Sequence, residues 1–243
     1  MTAKHTAIAE ALIEDVLSQR YRVGERLPSE RDLATRFEAN RGAVREAMKR
    51  LEQLGLARIE PGGARVNPLS LASLDVVGYL MARGTLPDAG LIDQILTVFS
   101  ALTAVAAEGV LRQGSDQDIE ALRGAVAPLT RSDTTPLEHQ AARFELMQMI
   151  MQQSGNLICQ LIARTLFEQF APSMEPLRPY AEAQINFETH AAYARQLDRA
   201  LADRDVAALR ATFEAFANLN RETIMAAFAA ATSGSLNNEA ALG

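Results

Sequence analysis

Arg41, Arg45 and Lys49 recur every four residues, a spacing that sets their cationic groups on one face of a helix. Val44, Ala47, Met48 and Leu51 fall on the opposite face. A helix divided in this way can enter the major groove of duplex DNA with its first turn nearest the base edges. An arginine there chelates guanine O6 and N7 through two hydrogen bonds, worth about 1–3 kcal/mol of discrimination. Arg31 stands near the start of the preceding helical stretch, where a side chain and helix amides together grip a phosphate. Gly62 and Gly63 let a turn approach nucleic acid closely, with Arg65 beside them. The competing reading makes these cations a solvated helix face neutralised by Glu46 and Glu52.

The elements that must hold these groups can be read from the same stretch. Ile8, Ala9, Leu12, Ile13 and Val16 repeat at helical spacing within residues 6–19, which predicts a first amphipathic helix. Gly24 and Pro28 break the pattern. Ser29, with Asp32 three residues on, has the form of a capping box and starts a short helix that buries Leu33, Ala34 and Phe37. Asn40 caps a third helix running to about Leu54, and Gly55 follows where a left-handed residue ends helices. Residues 56–59 and 64–67 are strand-length and flank Glu60-Pro61-Gly62-Gly63, which predicts a hairpin. Helix, short helix, tight turn, helix and glycine-tipped hairpin is the order of a winged helix-turn-helix.

The run Leu27-Pro28-Ser29-Glu30-Arg31-Asp32-Leu33-Ala34, then Asn40-Arg41-Gly42-Ala43-Val44-Arg45-Glu46-Ala47-Met48-Lys49-Arg50-Leu51, then Gly55-Leu56, resembles the DNA-binding domain of the GntR family of bacterial regulators. The resemblance spans residues 6–67. It implies DNA contacts at Arg31, Asn40, Arg41, Arg45 and Gly62, to which the basic stripe adds Lys49 and the hairpin adds Arg65. Gly42 and Ala43 depart from the family, many of whose members carry hydroxyl residues there. Those contacts are lost, so the operator of relatives does not transfer.

After Pro68 the turn signals thin out. Helical periodicity marks residues 71–83, 91–105, 116–127, 137–152, 156–170, 181–202 and 205–231, an all-α bundle of six to seven helices. The expected fold is therefore mainly α, with domains at 1–67 and 68–232 and a disordered tail at 233–243. Residues 1–67 carry twelve Lys and Arg against ten Asp and Glu, whereas the whole chain has net charge −6. The bundle is thus the acidic half, and the basic groups gather in the other.

The bundle is similar to the effector-binding and dimerisation domain of the FadR subfamily. The likeness rests on Gly90-Leu91-Ile92-Asp93-Gln94-Ile95-Leu96, Ala106-Ala107-Glu108, Phe144 with Ser154-Gly155-Asn156 ten residues on, and Ala200 ahead of Asp205-Val206-Ala207-Ala208. Most such domains hold a divalent metal through an Asp and three His. The resemblance places those positions at Ala141, Glu145, Ala194 and Phe216, of which only Glu145 could coordinate. The usual metal site is therefore absent, and no cofactor is expected. His190 lies one turn before the third position and His139 outside the set, which leaves open a displaced site of His139, Glu145 and His190. Phe99 stands where many relatives carry an Arg that pairs with a ligand carboxylate. Phe99, Phe144, Met147, Met151 and Phe216 could line an apolar cavity or simply fill the core. Arg143, Glu145, Arg164, His190 and Tyr193 are its candidate polar groups.

The resemblance implies a homodimeric repressor on a palindromic operator, modulated by a small molecule such as an acyl-CoA or another apolar organic acid. The alternatives are a constitutive DNA-binding dimer and a metal-dependent organic-acid sensor. An enzyme is not expected. Cys159 lies on an apolar helical stretch with Leu157, Ile158, Leu161 and Ile162, and there is no glycine-rich phosphate loop. One cysteine excludes a disulfide framework. Interrupting polar residues leave no apolar run of the roughly 20 residues that a membrane span needs. The charged start does not read as a signal peptide. A cytoplasmic location is expected.

Overall fold

The computed structural model describes residues 2–84 and 86–241, with side chains for 4–84 and 86–233. It divides into two compact units, Met1–Arg83 and Gly84–Gly243.

The first unit opens with α1 (Thr2–Leu17), α2 (Glu30–Arg36) and α3 (Arg41–Gln53). Leu12, Leu33, Val44, Leu51, Leu54 and Leu56 are fully buried in one core. Asp15 of α1 is buried and paired to Arg36 at 2.5 Å and Arg20 at 3.1 Å. That ion pair fastens α2 to α1, and the Arg36 guanidinium also lies 4.7 Å over the Phe37 ring. Strands β1 (Ala57–Glu60) and β2 (Gly63–Val66) form an antiparallel hairpin, with Ala57 opposite Val66 and Glu60 opposite Gly63. The two-residue alternation buries Ala64 and Val66 and turns Arg65 outward. Gly55 adopts φ +70 between α3 and β1, where an added Cβ would run into the Leu71 carbonyl oxygen.

The boundary expected at residue 67 falls instead between residues 83 and 84. After a 3₁₀ turn at Leu69–Leu71, α4 (Val76–Met81) puts Val76 into the first core, with Tyr79 and Leu80 against it. Arg83 Nη1 donates to the Leu17 carbonyl at 3.1 Å. The expected helix over 71–83 is therefore shorter and serves the first unit.

The second unit contains α5 (Ala89–Gln113), α6 (Asp116–Val126), α7 (Pro136–Gln153), α8 (Leu157–Met174), α9 (Arg178–Gln184), α10 (Phe187–Ala202) and α11 (Val206–Ala241). The stretch expected as one helix over 181–202 is two, because Asn186 Oδ1 accepts from the Thr189 amide at 3.0 Å and starts α10 afresh. Ser115, Thr135 and Asn156 cap α6, α7 and α8 in the same manner. Arg204 locks the α10–α11 turn by donating to the Leu111 and Gly114 carbonyls, 3.0 Å each.

Two expectations fail here. The tail does not leave the helix at Ser233: α11 continues to Ala241. No proline intervenes, and a single glycine costs only about 1 kcal/mol in a helix. Residues 242 and 243 lie outside the described ones. The expectation that no apolar run reaches membrane-span length also fails, since α5 is long and apolar enough by length and composition. It nevertheless belongs to the bundle. Ile92, Ile95, Ala106, Ala107, Val110 and Leu111 are buried, and Asp93 and Glu108 pair with Arg221 and Arg210 of α11.

Candidate DNA-binding face and a buried histidine cluster

The basic face is built by two capped helices. Ser29 Oγ accepts from the Asp32 amide at 3.2 Å and donates to the Asp32 carboxylate at 2.6 Å, which holds that carboxyl below its usual range. Asn40 Oδ1 accepts from the Ala43 amide at 2.8 Å and starts α3, leaving its amide nitrogen for other contacts. Val44, Ala47, Met48 and Leu51 are buried, so Arg41, Arg45 and Lys49 project outward together. Arg31 is exposed at the start of α2, 3.9 Å from Asp32.

These cations are not all free. Arg45 Nε and Nη2 each donate to a carboxylate oxygen of Glu30 at 2.9 Å, a bidentate fork. The hydrogen bond lowers the Glu30 pKa and raises that of Arg45. Lys49 pairs with Glu46 at 2.9 Å, in keeping with the neutralised-face reading. Glu52 instead props the hairpin, its Oε1 accepting from the Ile59 amide at 2.9 Å. At the wing, Arg65 Nη1 donates to the Gly24 carbonyl at 2.9 Å, and its Nε lies 3.6 Å from Glu60. Gly62 has φ +96, and the Arg26 guanidinium stands 2.7 Å from where a Cβ on it would be. Sequence reasoning missed both Arg26 and Arg58. Arg26 bridges to Arg65 from a loop distant in sequence, and Arg58 faces Arg65 across the hairpin. Strand alternation from Arg65 would have found Arg58. No local pattern marks Arg26.

Residues 4–66 match the sequence model of the bacterial regulatory proteins of the gntR family. The first unit is a gntR-family domain. An uncharacterized HTH-type transcriptional regulator of Mycobacterium tuberculosis, Rv0494, is 28% identical over 88% of this chain and 84% of its own. The HTH-type transcriptional repressor NanR of an Enterobacter species is 29% identical over 79% and 75%. The fatty acid metabolism regulator protein of Shewanella pealeana is 27% identical over 62% of each. Among solved structures, Lar, described as controlling the Listeria monocytogenes agr system, superposes with TM-score 0.53 over 92% of this chain and 96% of its own at 18% identity, a likeness of fold. The chain is a DNA-binding transcriptional regulator that carries a gntR-family domain, and the relatives named here are regulators rather than enzymes. Cys159 accordingly sits buried in the bundle core.

In the second unit of this regulator, the expected effector residues separate into two groups. Arg143, His190, Tyr193 and Phe216 come together. The His190 and Phe216 rings are 5.2 Å apart, Tyr193 is 6.3 Å from Phe216, and the Arg143 guanidinium lies 5.5 Å over the Phe216 ring. His139, outside the expected effector set, joins them 4.8 Å from His190, and Phe187 flanks it at 5.4 Å. The other candidates lie elsewhere. Phe99 packs against the main core and Met151 is buried within it. Phe144 is partly exposed against Phe167. Arg164 is exposed beside Glu168, and Glu145 is exposed.

The cause is helix phase. The inward line of α7 runs His139, Ala142, Leu146 and Ile150, spaced by three and four residues. Ala141 and Glu145 fall off that line and are exposed. Glu145 is not brought to the histidines, and Ala194 and Phe216 offer no donor. These residues do not fit the metal centre of metal-bearing relatives. Among the described residues no group of three or more His, Cys, Asp or Glu converges.

His139 and His190 are 2% and 1% exposed, and none of their four ring nitrogens has a hydrogen-bond partner. Burial, then the Arg143 charge, pushes His139 down to about 4. Burial, Arg143 and His139 push His190 down to about 3. Burial pushes Arg143 itself down to about 10. Both imidazoles are neutral at pH 7, beside one guanidinium.

Proposed function

We propose that this regulator binds a palindromic operator as a homodimer and acts as a repressor released by an apolar organic acid, an acyl-CoA among the candidates, held in its helical unit. The observation that carries the DNA-binding part is the outward basic face of α3, with Arg41, Arg45 and Lys49 one above another in a gntR-family domain. Arg41 and Arg45 contact base edges, Arg31 and Lys49 contact phosphates, and the Asn40 amide, the Gly62 backbone and Arg65 complete the interface. Dimerisation is supported by α5, whose Val98 and Val105 are 47% and 54% exposed on a long apolar helix. The repressor reading draws on the relative named as a repressor, and the organic-acid reading on the relative named as a fatty acid metabolism regulator. The second of these relatives supports a FadR-type assignment.

The test is selection of bound duplexes from a random pool with the full-length protein, followed by titration of the recovered sequence. We expect an inverted repeat bound by two copies. Arg45→Ala should weaken it about 10- to 100-fold, the worth of one bidentate base contact, while circular dichroism stays unchanged. Retained affinity in that folded variant would overturn the assignment of α3 as the reading helix.

A further inference from the structure

We propose that Arg26 is a second DNA-reading group of the first unit. Seated on the Gly62–Gly63 tip of the wing, its guanidinium enters a narrow, A·T-rich minor groove beside the bases that α3 faces. The proposal rests on the DNA-binding assignment of the first unit and adds to it a contact that reads groove shape rather than base order.

Three observations converge on Arg26. The first is its place in the fold. The Leu27 amide donates to the Ala64 carbonyl at 2.9 Å, the Gly24 amide to the Val66 carbonyl at 2.8 Å, and the Val66 amide to the Glu25 carbonyl at 3.0 Å. Residues 24–27 therefore run antiparallel beside β2 as a third chain of the wing. Arg26 stands opposite Arg65, and Arg65 opposite Arg58. Directly opposed residues share a face of a sheet, so three arginines form one row across the wing. Like charges so placed destabilise a sheet, a cost that a polyanion lying on that face offsets. The second observation is how the row is partnered. Glu60 pairs with Arg58 and lies 3.6 Å from Arg65, which also donates to the Gly24 carbonyl at 2.9 Å. Arg26 is exposed, and among the described residues its guanidinium makes neither an ion pair nor a hydrogen bond. The third is the tip itself, where Gly62 and Gly63 have φ +96 and +138. A Cβ on Gly62 would stand 2.7 Å from Arg26 Nη2, and one on Gly63 would stand 3.0 Å from its Nε. The guanidinium thus lies along bare backbone that a side chain on either glycine would crowd. The two glycines are a seat for Arg26 as well as a turn.

The geometry selects the groove. The minor groove of B-form DNA is about 6 Å wide, which admits a planar guanidinium but not a hairpin with side chains at its tip. A·T tracts narrow that groove and strengthen its negative potential, which attracts an inserted arginine. Guanine puts an amino donor on the groove floor, where a guanidinium finds one acceptor fewer to itself. Arginine suits the place better than lysine, because a guanidinium is more weakly hydrated than an ammonium and loses less on leaving water. The contact therefore favours A·T over G·C.

The experiment is fluorescence anisotropy of the full-length protein with three short duplexes of equal length, an A·T tract, an I·C tract and a G·C tract. Inosine lacks the guanine amino group and keeps its major-groove edge, so I·C resembles A·T in the minor groove and G·C in the major groove. We expect A·T and I·C to bind alike, about 3- to 10-fold more tightly than G·C. Arg26→Ala should bring the three duplexes together and reduce the slope of log affinity against log salt by about 1 on A·T and I·C. Arg26→Lys should keep the salt slope and lose most of the preference. Gly62→Ala, which displaces the guanidinium without removing its charge, should lose the preference with circular dichroism unchanged. The proposal is overturned if I·C ranks with G·C, if the wild type binds all three alike, or if folded Arg26→Ala keeps the wild-type ranking. An Arg26 that merely braces the hairpin gives that last result, with lowered stability. The α3 assignment is scored separately by Arg45→Ala on the selected operator, so either can fail alone.

Discussion

Replacing His139 and His190 together by leucine should flatten the acid side of the stability profile. In the folded chain their pKa values are pushed down to about 4 and about 3, by burial first and by the Arg143 charge second. An unfolded histidine titrates near 6.5. Between those limits the unfolded state binds protons that the native state refuses, so stability falls as pH falls. The contribution is complete above the unfolded pKa and erodes below it, until the native imidazoles themselves take up protons. From pH 7.5 to 5.5 each histidine removes about 1.4 kcal/mol, and the two together about 2.7 kcal/mol. The carboxylates whose pKa values are lowered by their partners, Glu30 and Glu108 among them, begin to matter only at lower pH. Urea unfolding followed by far-ultraviolet circular dichroism at fixed protein concentration isolates the window, because the helical unit dominates that signal. Wild type should lose most of the calculated amount, and the double variant less than about a third of it. An equal loss in both proteins would refute the reasoning, since it would mean that the imidazoles are hydrated or already paired.

Two further outcomes follow from the first unit. Glu30→Gln removes the carboxylate that holds Arg45 and takes a negative charge from the basic face, so binding to random-sequence duplex should tighten about 2- to 5-fold, the range of an exposed ion pair. Fluorescence anisotropy measures it, and weaker binding would show instead that Glu30 positions Arg45 for DNA. Gly55→Ala forces a left-handed residue to carry a Cβ against the Leu71 carbonyl and should destabilise the first unit by about 2 kcal/mol or more. A change below about 0.5 kcal/mol in urea unfolding would mean that the α3–β1 junction relaxes freely.

The winged helix-turn-helix was legible because each of its boundaries is written in local chemistry. Ser29 and Asn40 cap the helices they were expected to cap, and Gly55 takes the left-handed turn. The division of α3 into a buried and a basic face needs nothing beyond the helical repeat. The pairing of those cations was not legible. Glu30 and Arg45 stand on different helices, and only the angle between α2 and α3 brings the carboxylate into the fork. The bundle was legible as helices but not as a site, because His139, Arg143, His190 and Phe216 meet through the packing of three helices. Which face of α7 turns inward was not legible either. The likeness anchors on Phe144, which stands outward against Phe167, and Ala141 and Glu145 are exposed on the same helix.

The Glu30–Arg45 fork also bears on the proposed homodimer at DNA. Of the three stripe cations on α3, Arg45 and Lys49 are already engaged by Glu30 and Glu46. Arg41 makes no such ion pair among the described residues. Binding one half-site therefore exchanges internal pairs for DNA contacts rather than adding new ones, and the net gain per domain is smaller than the arginine count suggests. The exchange is most favourable for Arg45 where a guanine edge offers the same two-pronged geometry that Glu30 already supplies, which a lone phosphate oxygen does not. Self-pairing of this kind penalises non-specific duplex more than a matched site, so it raises specificity while it lowers affinity. In the proposed homodimer the affinity would be recovered by joining two domains, since the second contact becomes intramolecular and gains from effective concentration. Under the proposed effector release, a half-site affinity held low in this way would let a small change in the separation of the two DNA-binding domains release DNA.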